Sequence, residues 1–477
     1  MTTAIKFGTS GWRDIISEGF TVDNVRVVSQ AIADYIKDKG QAGKGMVVGY
    51  DTRFQSEYFA RKAARVFAAN GIKVFFSDRD VPTPAVSFEI LRRKAAGGIN
   101  ITASHNPPEY SGIKFSPDWG GPALPETTKE IEDRANALMP KGSNVPKVLD
   151  MPYEDAKHKG LIEEVGIVKP YLEQLKGRIN FSAIEVKSPR IAIDPMWGTA
   201  RGYLDDVLKG AGLEVTVLHD WRDPYFGGHR PEPAEEYLKE LNRIVVEGDY
   251  KIGLATDGDA DRFGIIDENG EFITPNELIA LALDYLIRVR GLQGGVARSV
   301  ATTHLIDRVA RLHGREVYET PVGFKFIGEL IAEDKIVIGG EESAGLTIKG
   351  HVPEKDGILA CLLALEMVCA EGMPLRKQLE RLFEKTGKVL TRRVNITLTD
   401  ELKEKLKAKL ATGPERFGDK KVVKTVTLDG HKFILEDGSW LLMRLSGTEP
   451  VVRLYVEANS ADELMMLSKE GERYIMK

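Results

Sequence analysis

The sequence predicts an α/β fold: three similar mixed-sheet α/β domains plus a smaller α+β C-terminal domain, arranged around a central cleft. Three observations predict it. A strand–loop–helix–strand pattern recurs three times, the tail changes to short alternating strands, and each section carries a loop rich in chemically active side chains. The length of 477 residues is that of roughly three domains on an ordinary prior.

The first repeat, GMVVGYDTRFQSEYFARKAARVFAANGIKVFF, gives an apolar strand, a polar loop, an amphipathic helix, a glycine stop and a second strand. PRIAIDPMWGTARGYLDDVLKGAGLEVTVL repeats it from Pro189, and RSVATTHLIDRVARLHGREVYET from Arg298. In the last, Leu305, Val309 and Leu312 fall on one helical face and Gly314 supplies the C-terminal stop. Each block reads as a βαβ unit, which implies parallel pairing and helix-covered sheets. The starts lie roughly 110 to 145 residues apart, which is domain spacing. The expected divisions are 1–150, 151–265, 266–385 and 386–477. The stretch Met139–Tyr153, rich in Pro, Gly and Lys, reads as the first linker. From about Val389 the tail alternates, turns helical at LKEKLKAKL, and continues through KKVVKTVTL, HKFILED, WLLMRL and VVRLYVEA. Several short strands with two helices predict an α+β domain.

With 42% hydrophobic and 29% charged residues the chain is not disordered. A net charge of −5 gives no reason to expect nucleic acid or an anionic membrane as partner, so any anion site must be built locally. The start, MTTAIKFGTSGWRDII, has no basic region followed by an apolar one, so no secretory signal is expected. GILACLLALEMVCA is too short to span a bilayer and contains Glu366, so it reads as a buried helix. Cys361 and Cys369 lie on that helix about 12 Å apart, too far for a disulfide. Reduced thiols fit a cytoplasmic protein.

Four loops carry chemistry. In ITASHNPPEYSGIKF an apolar run ends in Ser104 and His105, and Pro107 and Pro108 stiffen the rest of the loop. In LATDGDADRFG, Asp257, Asp259 and Asp261 alternate, and on extended backbone alternate side chains point the same way. Three convergent carboxylates repel unless a cation sits among them. A calcium loop is the rival, but its sixth position needs a sharp turn and is occupied by Arg262, and the loop follows a strand. Few protein ligands and open positions suit Mg²⁺ that also takes a phosphate oxygen. In VIGGEESAGL, Glu341, Glu342 and Ser343 can accept hydrogen bonds from paired sugar hydroxyls, although an exposed acidic turn looks the same. In LLMRLSGTEPVVRLYVEA, Arg444 and Arg453 flank a run of small residues whose N–H groups can cradle an anion. FGTSGWRD adds Thr9, Ser10 and Arg13, and PVGFKF adds Gly323 and Lys325. Loops at the carboxyl ends of parallel strands are where α/β proteins bind ligands, so four domains can enclose one cleft.

Taken in order, TASHNPPEYSGIKF, DGDADRFG, GGEESAG and RLSGTEP resemble the α-D-phosphohexomutase superfamily of phosphoglucomutases, phosphomannomutases and phosphoglucosamine mutases. The resemblance runs from FGTSGWR to RLYVEA. It implies a fourth domain that closes on a central cleft, and Ser104 as the carrier of a phosphoryl group. It implies Asp257, Asp259 and Asp261 as Mg²⁺ ligands with the Ser104 oxygen as a fourth, and Arg262 beside the phosphate. Glu341 and Ser343 are then sugar-hydroxyl contacts. Arg444, Ser446, Gly447 and Thr448, with Arg453, form the distal phosphate site. Arg13, His105 and Lys114 match active-site positions, with Lys114 a general-base candidate. Lys325 resembles the lysine of a PTG-x-K loop in which Val322 replaces a frequent threonine, and Thr9, Ser10 and Gly323 join the substrate contacts.

The implied reaction interconverts hexose 1-phosphate and hexose 6-phosphate through a hexose 1,6-bisphosphate. Glucose is favoured by Glu342 and Lys325, with mannose or dual use as the alternative, since one stereocentre separates the two. The enzyme is expected to act as a monomer or homodimer, with the last domain moving on a hinge. Three rivals are a metal-dependent phosphatase, a silent sugar-phosphate sensor and a serine hydrolase. The last lacks a G-x-S-x-G elbow, and neighbouring Ser104 and His105 are expected to point apart on extended backbone.

Overall fold

The computed structural model describes residues 4–9, 11–139, 147–446 and 450–477. Four sheets organise the chain. In the first, the strands Gly97–Ile101, Met46–Tyr50, Val74–Ser77 and Ile162–Val165 run parallel, and Tyr110–Pro117 returns antiparallel beside Gly97–Ile101. In the second, Ile252–Thr256, Ile191–Asp194 and Val215–Val217 are parallel, with Phe263–Asp267 antiparallel at the side of Ile252–Thr256. The third places Val317–Thr320, Gly295–Ser299 and Ile336–Glu341 in parallel and returns through Gly345–Ile348.

Each α/β sheet therefore contains one strand that ends in a tight loop and reverses into an antiparallel neighbour. Those three loops are 102–109, 257–262 and 342–344. The apolar strands are buried on both faces, as parallel strands under helices must be. The fourth sheet is antiparallel throughout, in the order Leu390–Thr397, Val451–Ala458, Trp440–Leu445, His431–Leu435, Lys420–Val426 and Arg416–Phe417. The helices Asp400–Thr412 and Ala461–Met476 complete the α+β tail.

Strand pairing runs past two expected divisions. Ile162–Val165 joins the first sheet beyond residue 150, and Phe272–Ile273 joins the second beyond 265. The expected linker falls partly on residues outside those described, and its end, from Tyr153, is a helix, Tyr153–His158. The physical reason is that edge strands take whichever unpaired backbone lies beside them, which composition does not reveal.

Core packing also crosses the divisions. One continuous apolar cluster includes Val47, Ile193, Leu254, Leu305 and Leu365, taken from all three α/β sections. At its centre the helix Gly357–Glu371 packs on strands of the second sheet and is buried almost all round. Glu366 is tolerated there because Tyr285 Oη (2.7 Å), Arg290 Nε (2.8 Å) and the Asn180 amide (2.8 Å) all donate to it. Cys361 and Cys369 are buried thiols on the same helix. Leu305 and Val309 are buried as expected, but Leu312 is 47% exposed, because Ile306 and Ala310 complete the buried face instead. Among the described residues, no single helix is long and apolar enough to cross a membrane.

Candidate active site

The serine loop leaves the strand Gly97–Ile101 and turns at once. Ser104 adopts a left-handed backbone (φ 53°), and its amide donates to Thr102 Oγ1 at 2.9 Å. This directs Oγ across the cleft onto the second domain, where it donates to Asp257 Oδ2 at 2.8 Å. The same turn brings His105 Nδ1 to 3.3 Å from Oγ. The expectation that these neighbours point apart was wrong, because it assumed extended backbone. Gly258 makes the approach possible: a Cβ there would lie 2.8 Å from the Ser104 carbonyl oxygen.

The aspartate loop is likewise a turn and not an extended run. Asp257 Oδ1 accepts from the amides of Asp261 (2.9 Å) and Arg262 (3.0 Å), while Ala260 takes a left-handed φ of 56°. Convergence of Asp257, Asp259 and Asp261 comes from this closure. All three are buried, with ligand atoms within 4.8 Å of one another. Asp259 Oδ1 and Asp261 Oδ1 are buried with no hydrogen-bond partner, the condition a bound cation relieves. Lys114 Nζ stands between Asp259 Oδ2 and Asp261 Oδ2, 2.6 Å from each, and Lys355 Nζ lies 2.7 Å from Asp261 Oδ2. Two ammonium groups thus supply the positive charge that these carboxylates demand. The donor set fits Mg²⁺: all oxygen and few protein ligands.

Electrostatics follow from this packing. Burial, with Asp261 and Asp259 adding to it, pushes the Asp257 carboxyl well above its usual range. Burial also pushes Asp261 up, but Lys114, Lys355 and Arg262 outweigh it and hold that carboxyl low. Burial and then the charges of Arg262 and Arg13 hold His105 well below the ordinary histidine value, so it is neutral. Arg13 Nη1 donates to Asn106 Oδ1 at 2.7 Å, on the far side of the serine loop. Arg262 reaches Glu232 at 3.4 Å, and its Nε is buried without a hydrogen-bond partner.

Glu341 and Ser343 come from the third sheet and its loop. Glu341 ends the strand Ile336–Glu341, is 4% exposed, and accepts from the Gly323 amide at 2.8 Å. Gly323 has φ 130°, and a Cβ there would meet Thr9 Cγ2 at 3.1 Å, so the first and third domains touch at this point. Lys325 is buried two residues further on, its ammonium lowered by burial against the opposing pull of Glu126 and Glu341. Ser343 is half-buried at the tip of the loop. In the tail, Arg444 and Arg453 are direct cross-strand neighbours. Like charges so placed repel, which favours an anion between them. Arg444 Nε donates to Asp429 Oδ2 at 2.8 Å, and the same oxygen accepts from the Val322 amide at 3.1 Å. Ser446 is buried, its amide bonded to the Val451 carbonyl at 2.9 Å. Ser10, Gly447 and Thr448 lie outside the described residues.

Sequence reasoning passed over four residues. Arg53, Thr83, Lys355 and Asp429 all touch the site's loops or ligands. Thr83 Oγ1 donates to Asp259 Oδ2, and Asn100 Nδ2 donates to Thr83 Oγ1 at 2.9 Å. Only Arg53 had a usable signal, since it follows the first strand of a repeated unit. Lys355 and Asp429 sit in loops whose sequences carry no pattern, and Thr83 opens the helix Thr83–Arg93 with nothing in its sequence to mark a role.

Three parallel-core α/β sections and an antiparallel tail, with a serine loop from the first held against an aspartate loop from the second, are the arrangement of an α-D-phosphohexomutase. Comparisons bear this out along the chain. Models of the phosphoglucomutase/phosphomannomutase family match as alpha/beta/alpha domain I over residues 4–141, domain II over 169–270, domain III over 274–386, and the C-terminal domain over 394–470. A phosphoglucomutase of Komagataeibacter xylinus is 32% identical, covering 99% of this chain and 90% of its own. A phosphoglucomutase/phosphomannomutase of Thermococcus kodakarensis is 32% identical over 96% and 95%. A Pyrococcus abyssi protein named as a phosphoglucosamine mutase is 31% identical over 98% and 97%. Among solved structures, a Thermus thermophilus protein named as a phosphomannomutase superimposes with a TM-score of 0.86 at 33% identity, covering 100% of both chains. The open form of Paramecium parafusin, a phosphoglucomutase, gives 0.84 at 25% identity over 100% and 96%. The chain belongs to the phosphoglucomutase/phosphomannomutase family, and it is an isomerase-type phosphotransferase.

Proposed function

We propose that this enzyme interconverts glucose 1-phosphate and glucose 6-phosphate, with Ser104 as phosphoryl carrier and glucose 1,6-bisphosphate as intermediate. The observation that carries the reading is the 2.8 Å contact of Ser104 Oγ with a buried three-aspartate cluster. Asp257, Asp259, Asp261 and the Ser104 oxygen would hold Mg²⁺, which supplies charge neutralisation to the phosphoryl group.

In the first half, phospho-Ser104 gives up its phosphoryl group to the free hydroxyl of the bound hexose phosphate. The Oγ–P bond breaks, the sugar O–P bond forms, the hydroxyl proton passes to a base, and Ser104 Oγ takes up a proton. Lys325, whose ammonium is destabilised by burial, suits that base, and Lys114 remains a second candidate. In the second half the other phosphoryl group of the turned-round bisphosphate moves to Ser104. Its Oγ proton is then taken by neutral His105, 3.3 Å away, while the sugar oxygen regains a proton. Such transfers depend on alignment and charge neutralisation, which a proline-stiffened loop against buried cations provides. Arg444 and Arg453, with Ser446, Gly447 and Thr448, grip whichever phosphate is not reacting. Glu341, Ser343, Gly323 and Thr9 line the sugar, and Arg13 and Arg262 flank the transferring phosphate.

Ser104→Ala is expected to abolish turnover, since no acceptor remains; bisphosphate-dependent activity above a trace in that variant contradicts the reading. A coupled assay of glucose 1-phosphate, mannose 1-phosphate and glucosamine 1-phosphate, with Mg²⁺ and a trace of bisphosphate, tests the sugar. The highest kcat/KM is expected for glucose. Dual use with mannose is the second reading, favoured by the relative from Thermococcus kodakarensis that carries both names. Steady release of inorganic phosphate would point to a phosphatase instead.

A further inference from the structure

Arg53 has no part in the steps above, yet its guanidinium is fully buried directly behind the serine. It stands in the loop after the strand Met46–Tyr50, which pairs with the strand that leads to Ser104. All five of its side-chain N–H groups are used. Nε donates to Asp51 Oδ2 at 3.1 Å. Nη1 donates to the carbonyls of Pro107 (2.7 Å) and Tyr110 (3.0 Å), and Nη2 to those of Ser104 (2.5 Å) and Asn106 (2.7 Å). The loop needs such a donor. Pro107 and Pro108 add carbonyls without N–H groups, so its backbone offers more acceptors than donors. From the second domain, the buried Phe226 ring covers the guanidinium, 5.0 Å from Cζ.

We propose that Arg53 is a positioning residue. Its planar fork fixes four carbonyls of the serine loop in the arrangement that holds Ser104 in a left-handed backbone and aims Oγ at Asp257. A lysine has three N–H groups on one atom and does not reproduce that fork. Arg53 touches no reacting atom. It acts through the main chain of Ser104, and Phe226 ties that setting to the docking of the second domain. The inference rests on Ser104 being the phosphoryl carrier.

The test is rapid-quench transfer of labelled phosphoryl from glucose 1,6-bisphosphate to the full-length dephosphorylated enzyme. In this step a sugar O–P bond breaks and the Oγ–P bond forms, while a proton leaves Ser104 and one reaches the sugar oxygen. Arg53→Lys is expected to take up label about 100-fold more slowly per folded molecule, the scale of an ångström-sized misplacement. Its kcat should fall by the same factor, with KM for glucose 1-phosphate within about two-fold, because the phosphate clamp lies on another domain. Labelling at the wild-type rate overturns the inference, as does a loss that only tracks the folded fraction. A wild-type enzyme that takes no label refutes the carrier reading and this inference with it. Should Arg53→Lys fail to fold, Phe226→Leu is read in its place. It is expected to slow labelling about five-fold, the scale of one cation–π contact, and an unchanged rate overturns the proposal.

Discussion

Ser104 occupies a backbone region that costs a non-glycine residue about 1–3 kcal/mol and persists only where the surroundings over-determine it. Thr102 Oγ1, Arg53 and Asp257 supply that constraint from three directions. Glu341 carries a related cost. Burial, then the charge of Glu342, raises its carboxyl to about 7 from an unfolded value of 4.5. A carboxyl raised on folding contributes most stability below its unfolded pKa, and loses it as pH climbs through 4.5 to 7. Glu341→Gln keeps an acceptor for the Gly323 amide without the charge. Its stability is therefore expected to exceed that of the wild type at pH 8, by up to about 3 kcal/mol, and to match it near pH 4.5. Thermal melts at the two pH values check this. A smaller advantage at the higher pH than at the lower contradicts it.

Residue identity marked the serine and the aspartates as candidates, and the structure brings them together. It could not carry Lys355 or Asp429, whose place at the site comes from what three-dimensional packing sets beside them, and it marked Arg53 only by its position after a repeated strand. Nor could it supply the His105 contact, which turns on the single φ of Ser104.

At the scale of elements, the recurring unit is a parallel strand, a tight loop and an antiparallel return. The repeated apolar-strand and amphipathic-helix pattern made these units readable, and with them the position of each chemical loop. The pairing of Ile162–Val165 with the first sheet was not readable, since a strand's partner is chosen by tertiary contact and its own sequence does not name it. The helix Gly357–Glu371 was foreseen as buried, but its place at the junction of three sections was not. Its weak point is Glu366, whose removal strands the Arg290 charge and the Tyr285 hydroxyl. Glu366→Ala is expected to cost about 3 kcal/mol, the lower end for breaking a buried pair because Arg290 also donates to the Arg178 carbonyl. Urea unfolding measures it, and a loss below about 1 kcal/mol, the value of a surface pair, would show the network to be dispensable.

For the whole molecule, the tail domain is docked on the third section by a buried polar seam. Lys432 Nζ donates to the Val300 carbonyl at 2.9 Å and to Glu319 at 3.2 Å, and Trp440 Nε1 donates to Glu457, which also accepts from Thr303 Oγ1. Asp429 adds a bridge at the mouth of the cleft by holding Arg444 and the Val322 amide together. If Arg444 grips a phosphate as proposed, that phosphate would compete with Asp429 for the guanidinium, and this bridge would link the clamp to closure. Asp429→Ala is expected to enlarge the radius of gyration of the unliganded enzyme in small-angle scattering, and to leave the bisphosphate-saturated value unchanged. Identical unliganded profiles would show that the buried seam alone sets the domain position.

The most direct measurement of the central claim is an anomalous difference map from crystals soaked in Mn²⁺. One peak is expected, ligated by Asp257, Asp259, Asp261 and the Ser104 oxygen, with the Lys114 ammonium moved off the carboxylates it now bridges. A peak elsewhere, or none while Lys114 stays in place, would contradict it.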